Sequence, residues 1–402
     1  MEVHEQYRMV SRLTVKSTQT GEANYRGWLQ WNSRHGCRKP LGTSIDRDGE
    51  DNMDRQLRYG FIDFLKGVGI FLVVWGHTMT PRSAYIYSFH MPLFFFLSGF
   101  VHQNKPLGKF IFAKINALYI PYALFTVLSW LFYLLRYWVY GNYREIFAHL
   151  SKLLSLFTGL ADNGGNNPIW YLTCIFVVSI FFRMISKIAD SKIRFGVIGV
   201  FSLIGYWLSR ADISLYFNAD IACTGLVFYS VGYLVRQRDL LRHLAHLKRW
   251  TWSAVVVGAE LLHIVSTRLN VKLAEITRVN MAGNLLGDYF LFYSASLLGV
   301  FVFLAIGYRI GNWQLVNYFG VNSLLILATH KPLLLLFDTQ VGKYLDIPEK
   351  LYGLIATVAV LALTVPLIAF INRKAPQAIG KQPLLRWETV THWLSKGRYL
   401  PN

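Results

Sequence analysis

Long apolar runs alternate with short polar connections along most of the chain. Ten runs stand out, at about 61–79, 87–103, 117–138, 168–186, 194–210, 217–235, 250–268, 288–308, 319–337 and 351–371. Each approaches the length a helix needs to cross a bilayer core. A weaker run at about 145–160 predicts a helix lying in the interface. Residues 1–57 are polar, of mixed charge and without helical or strand period, which predicts a disordered tail. No apolar core of signal-peptide length precedes Phe61. Met53 would make a normal start for such a protein, so the residues before it are expected to be dispensable. Residues 372–402 read as a basic tail. The pattern therefore predicts an all-α, polytopic membrane helix bundle over 58–371, with about ten transmembrane helices.

Composition agrees with that pattern. The chain is 53% hydrophobic and 16% aromatic, with mean hydropathy +0.33, more apolar than ordinary soluble domains. A net charge of +19 would suit nucleic acid, but the basic residues fall in alternate connections. One set holds Arg55 and Arg58; Lys105, Lys109 and Lys114; Arg183, Lys187, Lys192 and Arg194; Arg236 through Arg249; and the C-terminal tail. The other set is poorer, with Arg82, Arg144, Arg210, Arg268 and Arg278 among its members. This is the positive-inside bias, and it places both termini in the cytoplasm. The partner expected is membrane lipid, not nucleic acid. Three cysteines are too few for a disulfide framework. Cys174 and Cys223 read as buried thiols.

Against this background the ionisable residues inside the runs are conspicuous, because an unpaired charge facing lipid is costly. The first span carries Asp63, Lys66 and His77. Eleven residues return a helix to nearly the same face, so Lys66 and His77 share a stripe about 16 Å apart along the axis. Asp63, one turn earlier, can pair with Lys66. On the orientation above, Asp63 and Lys66 lie near the cytoplasm. His77, His90 at the start of the second span and His330 in the ninth lie in the outer half. A histidine is suited to taking a hydroxyl proton near neutral pH; each is equally readable as a hydrogen-bonded interhelical residue. Pro92 is expected near a helix start, putting His90 at an exposed N-terminus. Pro332 is expected to break the ninth helix and free carbonyls. The spacing of the histidines is no metal signature, and no metal is expected. Glu260 and His263 form a Glu-x-x-His on the seventh span, read as a structural or proton-handling pair.

Asp63, Lys66-x10-His77 and the run Phe89-His90-Met91-Pro92-Leu93-Phe94-Phe95-Phe96-Leu97-Ser98-Gly99 together resemble the acyltransferase-3 family, and within it the fucose-O-acetylase-like branch. The likeness is specific here, more diffuse elsewhere, and covers roughly Arg58 to Ile371. It extends to Pro168-x-Trp170-Tyr171-Leu172 and to His330-x-Pro332. The resemblance implies transfer of an acyl group, usually acetyl from acetyl-CoA, to a hydroxyl of a cell-surface or exported polysaccharide, in the cell membrane (the inner one in a Gram-negative bacterium). It implies His77 as general base or acyl-carrying nucleophile, Lys66 beside the thioester or the CoA phosphates with Asp63 as its partner, and His90 near the reacting carbonyl. The loop Asp162-Asn163-Gly164-Gly165-Asn166-Asn167 with Trp170 suits a sugar by its residues, amides meeting hydroxyls and the indole packing on the ring, and is equally readable as a turn before an interfacial aromatic belt; the resemblance favours the sugar for Trp170 and for His330. The basic run before Pro121-Tyr122 departs from the family in Asn116 and Ala117, so only Lys114 carries over as a CoA contact.

Two rivals remain at this point. Membrane-bound O-acyltransferases also use an intramembrane histidine, without the Lys66-x10-His77 pattern. A transporter or exporter would use Asp63, Lys66, Glu260 and His263 as a proton relay.

Overall fold

The computed structural model describes residues 48–78, 80, 82–150, 155–159, 166–311, 313–345 and 347–389. The N-terminal tail before 48, the loop Asp162–Gly165 and the tail from 390 lie outside them. Residues 1–56 and 57–402 form separate compact units; of the first, only the start of one helix is described.

All ten apolar runs fold as helices. In chain order they are α1 Asp48–Gly76, α2 Ser83–Phe100, α3 Leu107–Val139, α4 Trp170–Ile185, α5 Ser191–Arg210, α6 Ala219–Gln237, α7 Arg249–Leu273, α8 Tyr289–Ile310, the pair α9 Gln314–Val321 and α10 Ser323–Gln340, and α11 Glu349–Lys374. Among the described residues seven are long and apolar enough to cross a membrane, or eight with the bent pair as one span. The chain is thus a multi-pass, all-α membrane protein. The expectation of ten rests additionally on α1, which carries Asp63 and Lys66, and on α2, which is diluted by His90, serines and tyrosines. The weak run after α3 forms two short helices, Tyr143–Leu150 and Ser155–Thr158.

In lipid, helices gain little from apolarity alone and associate through close backbone approach and shared polar contacts. α2 and α6 supply the tightest pairing. A Cβ at Gly99 would sit 1.9 Å from the Tyr229 carbonyl oxygen, and one at Gly232 would sit 2.0 Å from that of Phe96. Only glycine fits either place. Around this seam Phe95, Tyr171, Phe182 and Tyr229 close the main core, with α4, α5 and α8 packed alongside. α7 lies against α8 and α2, and α11 against α10. The outward face of α7 is apolar and exposed at Leu261, Leu262 and Val265, as a lipid-facing surface requires.

Two expectations about proline are corrected. Pro92 lies inside α2, not near its start: the helix begins at Ser83, and His90 is two turns in and buried. Pro332 lies inside α10 without breaking it; the break, a bend of 82°, falls at Asn322 between α9 and α10. A proline in a helix interior leaves the carbonyl four residues back without its donor. For Pro92 that carbonyl is Ser88, and the Ser296 hydroxyl on α8 donates to it at 2.7 Å. For Pro332 it is Ala328, and the Asn166 amide donates to it at 2.6 Å. Each gap is filled from another helix or turn, so both helices continue. At Asn322, in contrast, the chain bends, and just before it Gly320 lies against the Asp63 carbonyl, 1.7 Å from where a Cβ would lie. The Asn322 side chain is engaged by Asn372 and Lys381.

Candidate active site

α1, α2, α10 and the loop before α8 meet at one end of the bundle and bring histidines together. His77 follows α1, and its ring centroid lies 5.0 Å from that of His330 on α10, edge to face. Tyr87 stands between His77, at 6.2 Å, and His90, at 4.9 Å. Arg278 closes the group with its guanidinium 4.3 Å over the Tyr87 ring. The charges of Arg278 and Lys331 act on His77, and that of Arg278 also on His90. His90 and His330 are buried, and His77 is half-buried.

The three rings share one orientation. Nδ1 of His77 is 2.7 Å from the Val73 carbonyl, that of His90 2.7 Å from Ile86, and that of His330 3.0 Å from Ile326. A carbonyl only accepts, so each Nδ1 carries the proton in the neutral ring. Nε2 is then left with its lone pair, the form a general base needs. The His330 Nε2 is buried with no hydrogen-bond partner among the described residues. Ala328 and Pro332 flank His330, so the Asn166 contact on Ala328 also holds the turn that carries this ring. Among the described residues no three His, Cys, Asp or Glu side chains converge as a metal site.

At the other end of α1, Lys66 lies 3.4 Å from Asp63, both half-buried. Lys381 joins them from the segment after α11. Its ammonium donates to Asn322 at 2.7 Å and to Asn372 at 2.8 Å. Desolvation pulls Lys381 below the usual lysine range, and the Asp63 charge pushes it back up. The same segment walls a cleft of about 500 Å³ that contains Lys105, Lys109, Arg386 and Trp387. The ring of Phe112 meets Trp387 edge to face at 5.4 Å. Lys114 does not line this cleft; its ammonium sits 5.4 Å from the Phe110 ring centroid, on the side of His102.

A third polar group occupies the opposite face of α2. The Ser88 hydroxyl is 2.8 Å from His263 Nε2, and His263 Nδ1 is 3.3 Å from Glu260. The Tyr85 hydroxyl donates to the other Glu260 oxygen at 2.8 Å. The connectivity is that of a serine–histidine–carboxylate relay. Ser88 is 1% exposed and His263 0%, however, and Ser88 also donates to the Tyr85 carbonyl at 2.7 Å. A nucleophile must be reached by its substrate, and nothing reaches this one. The group is a polar lock between α2 and α7.

The remaining sequence candidates fall apart in space. Trp170 is 4% exposed and packs in the main core, so its ring is not free to stack on a sugar. Asn167 is exposed on the single turn Asn167–Ile169. Its neighbour Asn166, fully buried, makes the contact that matters, bonding Ser129 at 2.9 Å as well as Ala328. Asn166, Arg278 and Lys381 escaped notice in the sequence. Arg278 reads in the sequence only as loop charge, Lys381 only as tail charge, and Asn166 only as one carboxamide of a loop that suits a sugar or a turn, not as the donor that holds α10. None has a local pattern that would mark it.

No curated protein and no solved structure matches the chain. The family model described as an acyltransferase domain matches residues 59–373, which takes in α1 to α11 and all three histidines. With its buried histidine cluster set among membrane helices, the chain belongs to the acyltransferase-3 family and is a membrane acyltransferase.

Proposed function

We propose that this protein transfers acetyl from acetyl-CoA to a hydroxyl of a cell-surface or exported polysaccharide in the cell membrane. The observation that carries the reading is the pair His77–His330, two rings 5.0 Å apart whose Nδ1 atoms are both tied to carbonyls. In this reading His77, the less buried of the two, removes the proton of the acceptor hydroxyl through Nε2 as the oxygen attacks the thioester carbonyl. Arg278 faces the charge that develops on the carbonyl oxygen. As the tetrahedral adduct collapses, the C–S bond breaks and the His77 proton passes to the departing thiolate. His330 offers its unpartnered lone pair to the protonated His77 or to the next hydroxyl.

The opposite end of α1 suits the polyanionic end of the donor. Lys105, Lys109 and Arg386 supply cations there, and Trp387 with Phe112 supplies aromatic surface for a purine base. Lys66 and Lys381 continue the basic track toward the first helix. The loop-charge asymmetry supports a cytoplasmic position for this end, so that donor and acceptor approach from opposite sides.

The test is thiol release by purified protein supplied with acetyl-CoA, with and without a polysaccharide acceptor. Acceptor-dependent release is expected, reduced at least about a hundredfold in His77→Ala, the lower limit for a lost general base. A His77→Ala variant with more than about one-tenth of the wild-type rate would sink the assignment.

A further inference from the structure

α2 and α7 diverge at the histidine end of the bundle and leave a second cleft, of about 580 Å³. Its apolar walls are Ala84, Ile264 and Val271, and it opens beside the lipid-facing leucines of α7. Arg82, just before α2, and Arg268, near the end of α7, stand at its rim, both exposed. Among the described residues neither has an ion-pair partner and no acidic residue lines the cleft; Glu260, on the same helix as Arg268, is already held by Tyr85 and His263. Thr267 also lines the cleft. It is 6% exposed, and its hydroxyl has no hydrogen-bond partner among the described residues, although a helical threonine ordinarily bonds back to its own backbone.

Two guanidiniums at the rim and apolar walls opening to hydrocarbon make an amphiphile-shaped site with a preference for anions. We propose that this cleft binds the phosphodiester headgroup of an anionic membrane lipid in the leaflet at the histidine end. Arg82 and Arg268 hold the phosphate oxygens in the paired donor geometry guanidinium favours. Thr267 packs beneath them, and the acyl chains lie along Ile264 and Val271. The inference rests on the membrane placement of α2 and α7, not on the acyl-transfer reading.

The experiment uses the full chain purified in a neutral detergent, titrated with short-chain phosphatidylglycerol, with phosphatidylcholine and with inorganic phosphate, and read by native mass spectrometry. Phosphatidylglycerol should bind tightest, and Arg82→Ala and Arg268→Ala should each weaken it about fivefold, the effect of one basic residue at an anionic surface. Thr267→Val should weaken it less and preserve the charge preference. Arg210→Ala, at the exposed end of α5, is the control and should bind as wild type. Equal affinity for the two lipids would overturn the proposal, as would an Arg210→Ala loss as large as that of Arg268→Ala. Competition by millimolar phosphate alone would point to a soluble anion site and overturn it as well. If Arg82→Ala fails to fold, Arg268→Ala decides the outcome, since Arg268 is an exposed surface residue.

Discussion

Asn166→Ala tests how the His330 ring is held. The wild-type amide donates to the Ala328 carbonyl at 2.6 Å, the oxygen that Pro332 deprives of its helical partner. Alanine removes the donor and leaves a buried carbonyl unpaired, at a cost of about 1–3 kcal/mol. The Ser129 oxygen, which accepts from the same amide at 2.9 Å, also loses its donor but keeps its own O–H free to bond, so it adds less. At about 2 kcal/mol the folded-to-unfolded ratio falls roughly thirtyfold, measurable by unfolding in mixed micelles. The same change loosens the turn that carries His330. Since a misplacement of about 1 Å at a catalytic group can cost 10²-fold, turnover should fall at least about tenfold. The informative partner is Pro332→Ala, which restores a backbone N–H to the Ala328 carbonyl. Asn166→Ala/Pro332→Ala should be more stable than Asn166→Ala alone, a coupling visible only in the full double-mutant cycle. Additive effects of the two changes, or a fully stable and active Asn166→Ala, would refute the reasoning.

Three further outcomes are expected. Lys66→Ala should weaken direct binding of acetyl-CoA while His77→Ala lowers single-turnover rate with near-normal binding, and Lys66→Arg should retain more binding than Lys66→Ala because the charge survives. Ser88→Ala should destabilise the fold by about 1–3 kcal/mol yet leave turnover per folded molecule within about threefold; a loss of 10³-fold or more would mean that Ser88 is a nucleophile after all. Gly99→Ala should prevent α2 and α6 from closing and abolish a monodisperse folded protein on size exclusion, whereas Gly196→Ala, with open space around it, should behave as wild type.

The helices were legible because their hydrophobic period is local. Each apolar run had only to be long enough, and most became helices close to their expected ends; α1 and α3 start 13 and 10 residues early, in more polar sequence, and the ninth run is bent at Asn322. The Lys66–His77 stripe was legible for the same reason, being one helix read along its own axis. The errors share a different origin. The sequence suggests that Pro92 opens a helix and that Pro332 breaks one, because the donors that let both sit inside helices are 208 and 162 residues from the carbonyls they serve. Trp170 reads as a surface aromatic from its neighbouring asparagines and proline, and only the packing of α4 buries it. Arg278 reaches Tyr87 across a chain separation that no local pattern records. What one helix does alone can be read from order along the chain; what a second helix does for it cannot.

The two repaired prolines also set a timetable. The Ala328 carbonyl emerges from the ribosome after Asn166 and finds its donor already made. The Ser88 carbonyl emerges first and must wait for Ser296. At 5–20 residues per second of synthesis, the wait is roughly 10–40 s. During that interval α2 sits in the bilayer with an unmet carbonyl two residues before His90. The α2 wall of the histidine pocket is therefore closed only when α8 arrives, and His330 on α10 follows later still; a chain truncated before α8 should carry an α2 that is still open to water or to a chaperone.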